Sequence, residues 1–186
     1  MQFRHDIRQW PTAFAFRSHL DNYDPSIAPW AKGIVVHHTV SPTPASWRGH
    51  DTMVGMMNYY KGLKWESGPH LFIVTGAKNS AHDGIWQMTA LNEKGTHAGA
   101  CNSSTWGVEV VGFYDTKPWS LSTMSLVLDA LHVLSQWRGI TITKDTLKGH
   151  RDCNSPKTCP GRAVDMQIIR EAVKRKAKQE AGDGVK

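Results

Sequence analysis

Cysteine is scarce in this chain: Cys101, Cys153 and Cys159 are its three among 186 residues. A small, odd set excludes the closed disulfide framework that staples short secreted domains. Long apolar runs are missing too. No stretch approaches the roughly 18 residues that a membrane-spanning helix needs, so no integral membrane segment is expected. The opening residues Met1-Gln2-Phe3-Arg4-His5-Asp6-Ile7-Arg8 carry basic side chains with no apolar segment behind them. No secretory signal peptide is legible there, and the expectation is synthesis and folding in a cytoplasm. Acidic residues are outnumbered, 16 Asp and Glu against 22 Lys and Arg, which leaves a net charge of +6. That balance selects an anionic partner without naming it: nucleic acid, a lipid surface and an acidic cell-wall polymer all qualify.

What is present suits one globular domain. Hydrophobic residues make up 40% of the chain and charged residues 20%, enough for a single core. Residues 1–30 hold Pro11, Pro25 and Pro29 among scattered aromatics, with no sustained period, and read as an extension packed on the domain. The run Gly33-Ile34-Val35-Val36-His37-His38-Thr39-Val40, closed by Ser41-Pro42-Thr43-Pro44, predicts a buried strand whose two histidines face opposite sides. Met53, Met56, Met57 and Tyr60 recur at helical spacing and predict a helix within 47–61, ending near Gly62. Further strands are expected at 70–75, 84–88 and 106–112. A helix is expected over 120–137, with Ser120 or Ser122 as cap and Gly139 as stop. The last helix should begin near Ala163, with Val164, Ile168, Ala172 and Val173 facing inward. Without strict βαβ alternation, the expected class is α/β with a central mixed, mainly five- to six-stranded sheet flanked by helices. The main domain is placed at 31–178, with a flexible tail over 179–186.

Against three cysteines stand ten histidines, and ligand-type side chains gather at three places where strands end or loops begin. These are His37-His38, the strand carboxylate Glu109, and the loop from Gly149-His150-Arg151-Asp152-Cys153 to Lys157-Thr158-Cys159-Pro160-Gly161. Two imidazoles and a thiolate around zinc, with a fourth position left to water, would make a sensible catalytic centre. The long separation of His37 from His150 excludes a local zinc-finger loop. Simpler readings stand beside each residue. A histidine in an apolar strand is ordinarily a packed core residue, Glu109 could face solvent, and Lys157 could be a loop charge. His70 and His82 could line a cleft or decorate the surface. Cys153 competes with Cys159 as a ligand, because the spacing from His150 to Cys153 also suits a metal.

Together, Ile34-Val35-Val36-His37-His38-Thr39, Pro69-His70-Leu71-Phe72-Ile73-Val74, His97-Ala98-Gly99 with Asn102, Trp106-Gly107-Val108-Glu109-Val110-Val111-Gly112 and the loop from Gly149 to Gly161 resemble a known family over about residues 31–170. It is that of the zinc-dependent N-acetylmuramoyl-L-alanine amidases of type 2, which share a fold with phage amidase lysozymes and peptidoglycan recognition proteins. The resemblance implies one zinc ion held by His37, His150 and Cys159. It implies Glu109 as the acid–base group, since Pro69 stands where some relatives have a catalytic tyrosine. Lys157 falls on the position of the lysine that stabilises the oxyanion, and His97, His70 and Asn102 fall on the substrate side. His38 remains a core or supporting residue.

The activity so implied is hydrolysis of the amide between N-acetylmuramic acid and the L-alanine of the peptidoglycan stem. With no leader visible, a monomeric phage or prophage endolysin is expected, made in the host cytoplasm and acting on the wall after release. Cys101 and Cys153 are accordingly expected as free thiols in that compartment, with a disulfide between them as the alternative in an oxidising one. The basic run Lys174-Arg175-Lys176 with Lys178 reads as a solvated helix face, or as a contact to anionic wall polymer or outer-membrane lipid. Two rival readings are a non-catalytic peptidoglycan-binding module and a cysteine-type cell-wall peptidase. A nucleic-acid partner is not expected, because the basic residues are scattered until that last helix.

Overall fold

The β-branched run after Lys32 forms a strand with every residue buried, β2 (Gly33–His38), and the sheet is built around it. The computed structural model describes residues 2–153 and 156–183. The other strands are β1 (Arg8–Trp10), β3 (Leu71–Val74), β4 (Gly84–Gln87), β5 (Thr105–Val110) and β6 (Leu147–Gly149). They lie in the order β1-β4-β3-β5-β2-β6. β3, β5, β2 and β6 run parallel, while β4 is antiparallel to both β3 and β1. The sheet is therefore mixed and six-stranded, as the sequence predicts, with its border strand β1 supplied by the N-terminal extension.

Alternation along β2 and β5 sends successive side chains to opposite faces. One face carries Ile34, Val36, Val108 and Val110. It packs against Phe16 and Leu20 of α1 (Ala13–Leu20), Val127, Leu131 and Leu134 of α3 (Leu121–Arg138), and Ile169 and Val173 of α4 (Met166–Asp183). The other face carries Phe72 and Trp86 under Met53, Met57 and Tyr60 of α2 (His50–Gly62). Removing such a side chain from water contributes about 1.5–3 kcal/mol each, so the two layers fix the sheet firmly between helices. Ser120 caps α3 by accepting the Thr123 N–H, and Gly139 closes it at φ +70°, a left-handed conformation that suits glycine.

Two expectations are corrected. Ile168 is exposed, and Ile169 fills the inward position instead. Helix α4 runs on to Asp183, within the segment expected as a tail, of which residues 184–186 lie outside the described residues. Cys101 and Cys153 are joined by a disulfide. The expectation of free thiols came from the compartment of synthesis. In the fold the two Cα atoms stand 6.0 Å apart, within ordinary bridging range. Among the described residues no helix is long and apolar enough to cross a membrane.

Candidate metal centre

Parallel strands expose their carboxyl ends at one edge of the sheet, where ligand sites of such folds gather. His37 lies at that end of β2, and its register partner on β5 is Glu109. Both belong to the face that carries α2, because His38 and Val110 take the alternate direction. β6 ends at Gly149, and the next residue is His150. Cys159 comes from the following loop, of which Asn154 and Ser155 lie outside the described residues. The backbone N–H of Arg151 donates to the Cys159 carbonyl at 2.9 Å, and its guanidinium donates to the carbonyls of Gly161 and Val164 at 2.9 and 2.6 Å. One arginine thus pins the loop that presents the thiol to the turn that presents His150.

The result is a triangle: one ligand atom each from His37, His150 and Cys159, all within 4.8 Å of one another. Cys159 Sγ lies 3.7 Å from His37 Nδ1 and accepts the backbone N–H of His38 at 3.3 Å. Glu109 Oε1 stands 3.9 Å from His37 Nδ1, and Glu109 Oε2 is buried without a hydrogen-bond partner among the described residues. Burial dominates the electrostatics. It holds His37 well below the usual imidazole range, with the neighbouring His97, His150 and His38 adding to the effect, so the ring is a neutral ligand. Burial and then Lys157 lower His150. Burial pushes the Cys159 thiol up to about 12, reinforced by Glu109 and opposed by the His38 N–H, Lys157 and Arg151. It also pushes Glu109 up to about 8.

These residues fit a zinc ion. Two neutral imidazoles and a thiol are its preferred donors, three protein ligands leave a position open, and a coordinated thiol is deprotonated outright. Beside the triangle runs a cleft of about 620 Å³ lined by His38, Glu109, Arg48 and a wall from α2 that includes Asp51, Tyr59 and Tyr60. Sequence reasoning missed that wall. Its signal was a second stripe on α2, Asp51, Gly55 and Tyr59, across the helix from the Met53–Met57–Tyr60 face.

The remaining candidates have plain positions. Lys157 is exposed and lies close enough to lower both His150 and Cys159 electrostatically. His70, expected at the substrate, is fully buried: its Nδ1 accepts the Gly107 N–H at 3.0 Å and its Nε2–H donates to the Glu93 carbonyl at 2.9 Å. These bonds tie β5 to the loop at Glu93. Asn102 Oδ1 accepts the backbone N–H groups of His97 and Ala98 at 3.0 and 2.6 Å; its carbonyl oxygen is spent on shaping that turn. His97 is buried, with ring nitrogens against His37 Nε2 and the Thr105 carbonyl. His82 packs its ring over Gly49. His38 faces Tyr114, whose N–H it accepts at Nδ1.

A mixed sheet whose carboxyl edge holds a two-histidine, one-cysteine triangle and a buried carboxylate is a site that could hold one metal ion. The family model described as N-acetylmuramoyl-L-alanine amidase, Amidase_2, matches residues 28–162, and the chain belongs to that family. No curated protein sequence matches it. Among solved structures, it is similar to the N-acetylmuramoyl-L-alanine amidase LysC from Clostridium intestinale, with 21% identity, 77% of this chain and 85% of that one covered, and a TM-score of 0.61. It is also similar to the Drosophila peptidoglycan recognition protein SA, with 19% identity, coverage of 74% and 77%, and a TM-score of 0.60. A mutant endolysin from Bacillus subtilis gives 19% identity, coverage of 77% and 85%, and a TM-score of 0.56. At these identities the likeness is one of fold.

Proposed function

We propose that this protein is a zinc-dependent amidase that hydrolyses the bond between N-acetylmuramic acid and L-alanine in peptidoglycan. The observation that carries this reading is the convergence of the His37, His150 and Cys159 donors beside the buried Glu109. When bound, zinc supplies Lewis-acid activation of water and of the scissile carbonyl. The chain's own groups do the rest. Glu109 beside a bound cation ionises more readily than burial alone allows. From the His37 side it takes a proton from water and returns one to the leaving amine. The Lys157 ammonium adds positive charge where the oxyanion develops. The α2 wall and His38 hold the muropeptide along the cleft. A role as a phage or prophage endolysin, made in the host cytoplasm as a monomer and lytic once it reaches the wall, belongs to the same proposal.

Purified sacculi test it. Intact stem peptides with a free L-alanine amine should appear, release should stop in chelator, and zinc should restore it. Activity that persists in chelator but is lost on thiol alkylation, with cleaved stem peptides as product, would favour the cysteine peptidase. Binding without turnover in the presence of zinc would favour a recognition module of the kind to which the chain is structurally similar.

A further inference from the structure

We propose that His97 is the positioning residue that sets the tautomer of His37, so that His37 presents its Nδ1 lone pair, and not a proton, to the metal. This deepens the metal-centre reading and rests on it. The geometry fixes hydrogen-bond direction from a single point. The Thr105 carbonyl can only accept, so the His97 nitrogen 3.0 Å from it, Nε2, carries the proton. His97 is buried, and among the described residues no carboxylate hydrogen-bonds to it. An uncompensated buried charge is costly, so the ring holds one proton and its Nδ1 is an acceptor. That Nδ1 lies 3.1 Å from His37 Nε2. His37 Nε2 must therefore be the donor, and its single proton is used there. What is left on His37 is the Nδ1 lone pair, on the side of Cys159 Sγ at 3.7 Å and Glu109 Oε1 at 3.9 Å.

The surroundings hold this relay in place. The ring planes are crossed at 87° with centroids 5.2 Å apart, and with 3.1 Å between the two nitrogens the rings meet edge to edge, so the Nε2–H of one can point at the in-plane lone pair of the other. A Cβ on Gly107 would lie 2.5 Å from His97 Cγ, so only glycine in the middle of β5 leaves room for the ring. The Asn102 side chain accepts the backbone N–H of His97 itself. Backbone carbonyl, His97 and His37 form a chain of two imidazoles in series. A partner that orients a ligating histidine in this way is commonly worth 10–100-fold in metal affinity.

The test begins on metal-free protein, where neither zinc nor activity enters. A long-range proton–nitrogen correlation spectrum of the imidazoles should show His37 protonated at Nε2 in the wild type. Finding it protonated at Nδ1 overturns the proposal, even if no variant folds. His97→Leu should leave His37 as a mixture of tautomers and weaken zinc binding, measured against a chromophoric chelator, by about 10–100-fold. His97→Gln retains one acceptor and one N–H donor and should restore most of both. Unchanged tautomer and affinity in His97→Leu, or Gln behaving as Leu does, would overturn the relay. Wild-type protein that shows the Nε2 tautomer yet binds no zinc would instead overturn the metal reading and leave the hydrogen-bond direction standing.

Discussion

At the scale of single residues, Glu109 carries the sharpest consequence. Burial raises it to about 8, so the folded metal-free chain keeps a proton that the unfolded chain releases in the ordinary carboxylate range. The stability of that state must then fall as pH climbs from the unfolded value through about 8 and level off above it. Glu109→Gln removes the dependence. In chelator, its melting temperature should vary less than that of the wild type between about pH 5 and about pH 9 and exceed it at the upper end; parallel curves would refute the assignment. With zinc loaded, the same variant should lose roughly 10²–10⁴-fold in kcat while keeping its metal, as removal of a general base does. The residue types of the triangle were legible because strand ends and loop starts are visible in sequence. The structure places Cys159 in it, not Cys153, because Cys153 is bonded to Cys101. The fates of His70 and His97 were hidden. Whether an imidazole meets a ligand or a backbone carbonyl depends on contacts such as Glu93 and Thr105, to which no local pattern points.

At the scale of elements, helices and strands followed the sequence wherever a cap or a period marked them: Ser120 and Gly139 bracket α3, and the β-branched run makes β2. They failed where two neighbouring residues compete for one direction. Ile168 and Ile169 are equally apolar, and the angle at which α4 lies on the sheet decides which of them is buried. The disulfide joins the turn at Gly99–Ser103 to the residue that follows the turn at His150–Asp152, across a sequence separation of 52. Closing a loop of that size restricts the unfolded chain by about 4 kcal/mol in the loop-entropy account. Cys101→Ser with Cys153→Ser, or simple reduction, should lower the melting temperature by about 10 °C. Calorimetry with and without reductant checks this, and coincident transitions would show that the bridge contributes nothing.

At the scale of the whole molecule, charge and edges matter more than any one contact. In the basic run of α4, Lys174 pairs with Glu171 of the same helix at 2.9 Å, and Lys176 reaches Asp129 of α3 at 2.7 Å. Arg17 of α1 and His132 of α3 converge on Glu180 from the other side. Lys176 and Glu180 therefore help to dock the helix. The six-strand order has a further consequence for how the molecule behaves in a crowded solution. An unpaired strand edge is a template on which another chain can grow a sheet, and natural proteins blunt such edges by making them short and charged. Both borders here are three residues long, β1 with Arg8 and β6 with Lys148. Removing residues 1–11 would uncover β4, whose four residues are buried in the intact fold and include Ile85 and Trp86. Such a truncation should self-associate, seen as a rise in light scattering with concentration, where the full chain stays dispersed. On this view, the N-terminal strand guards against aggregation more than it supports catalysis.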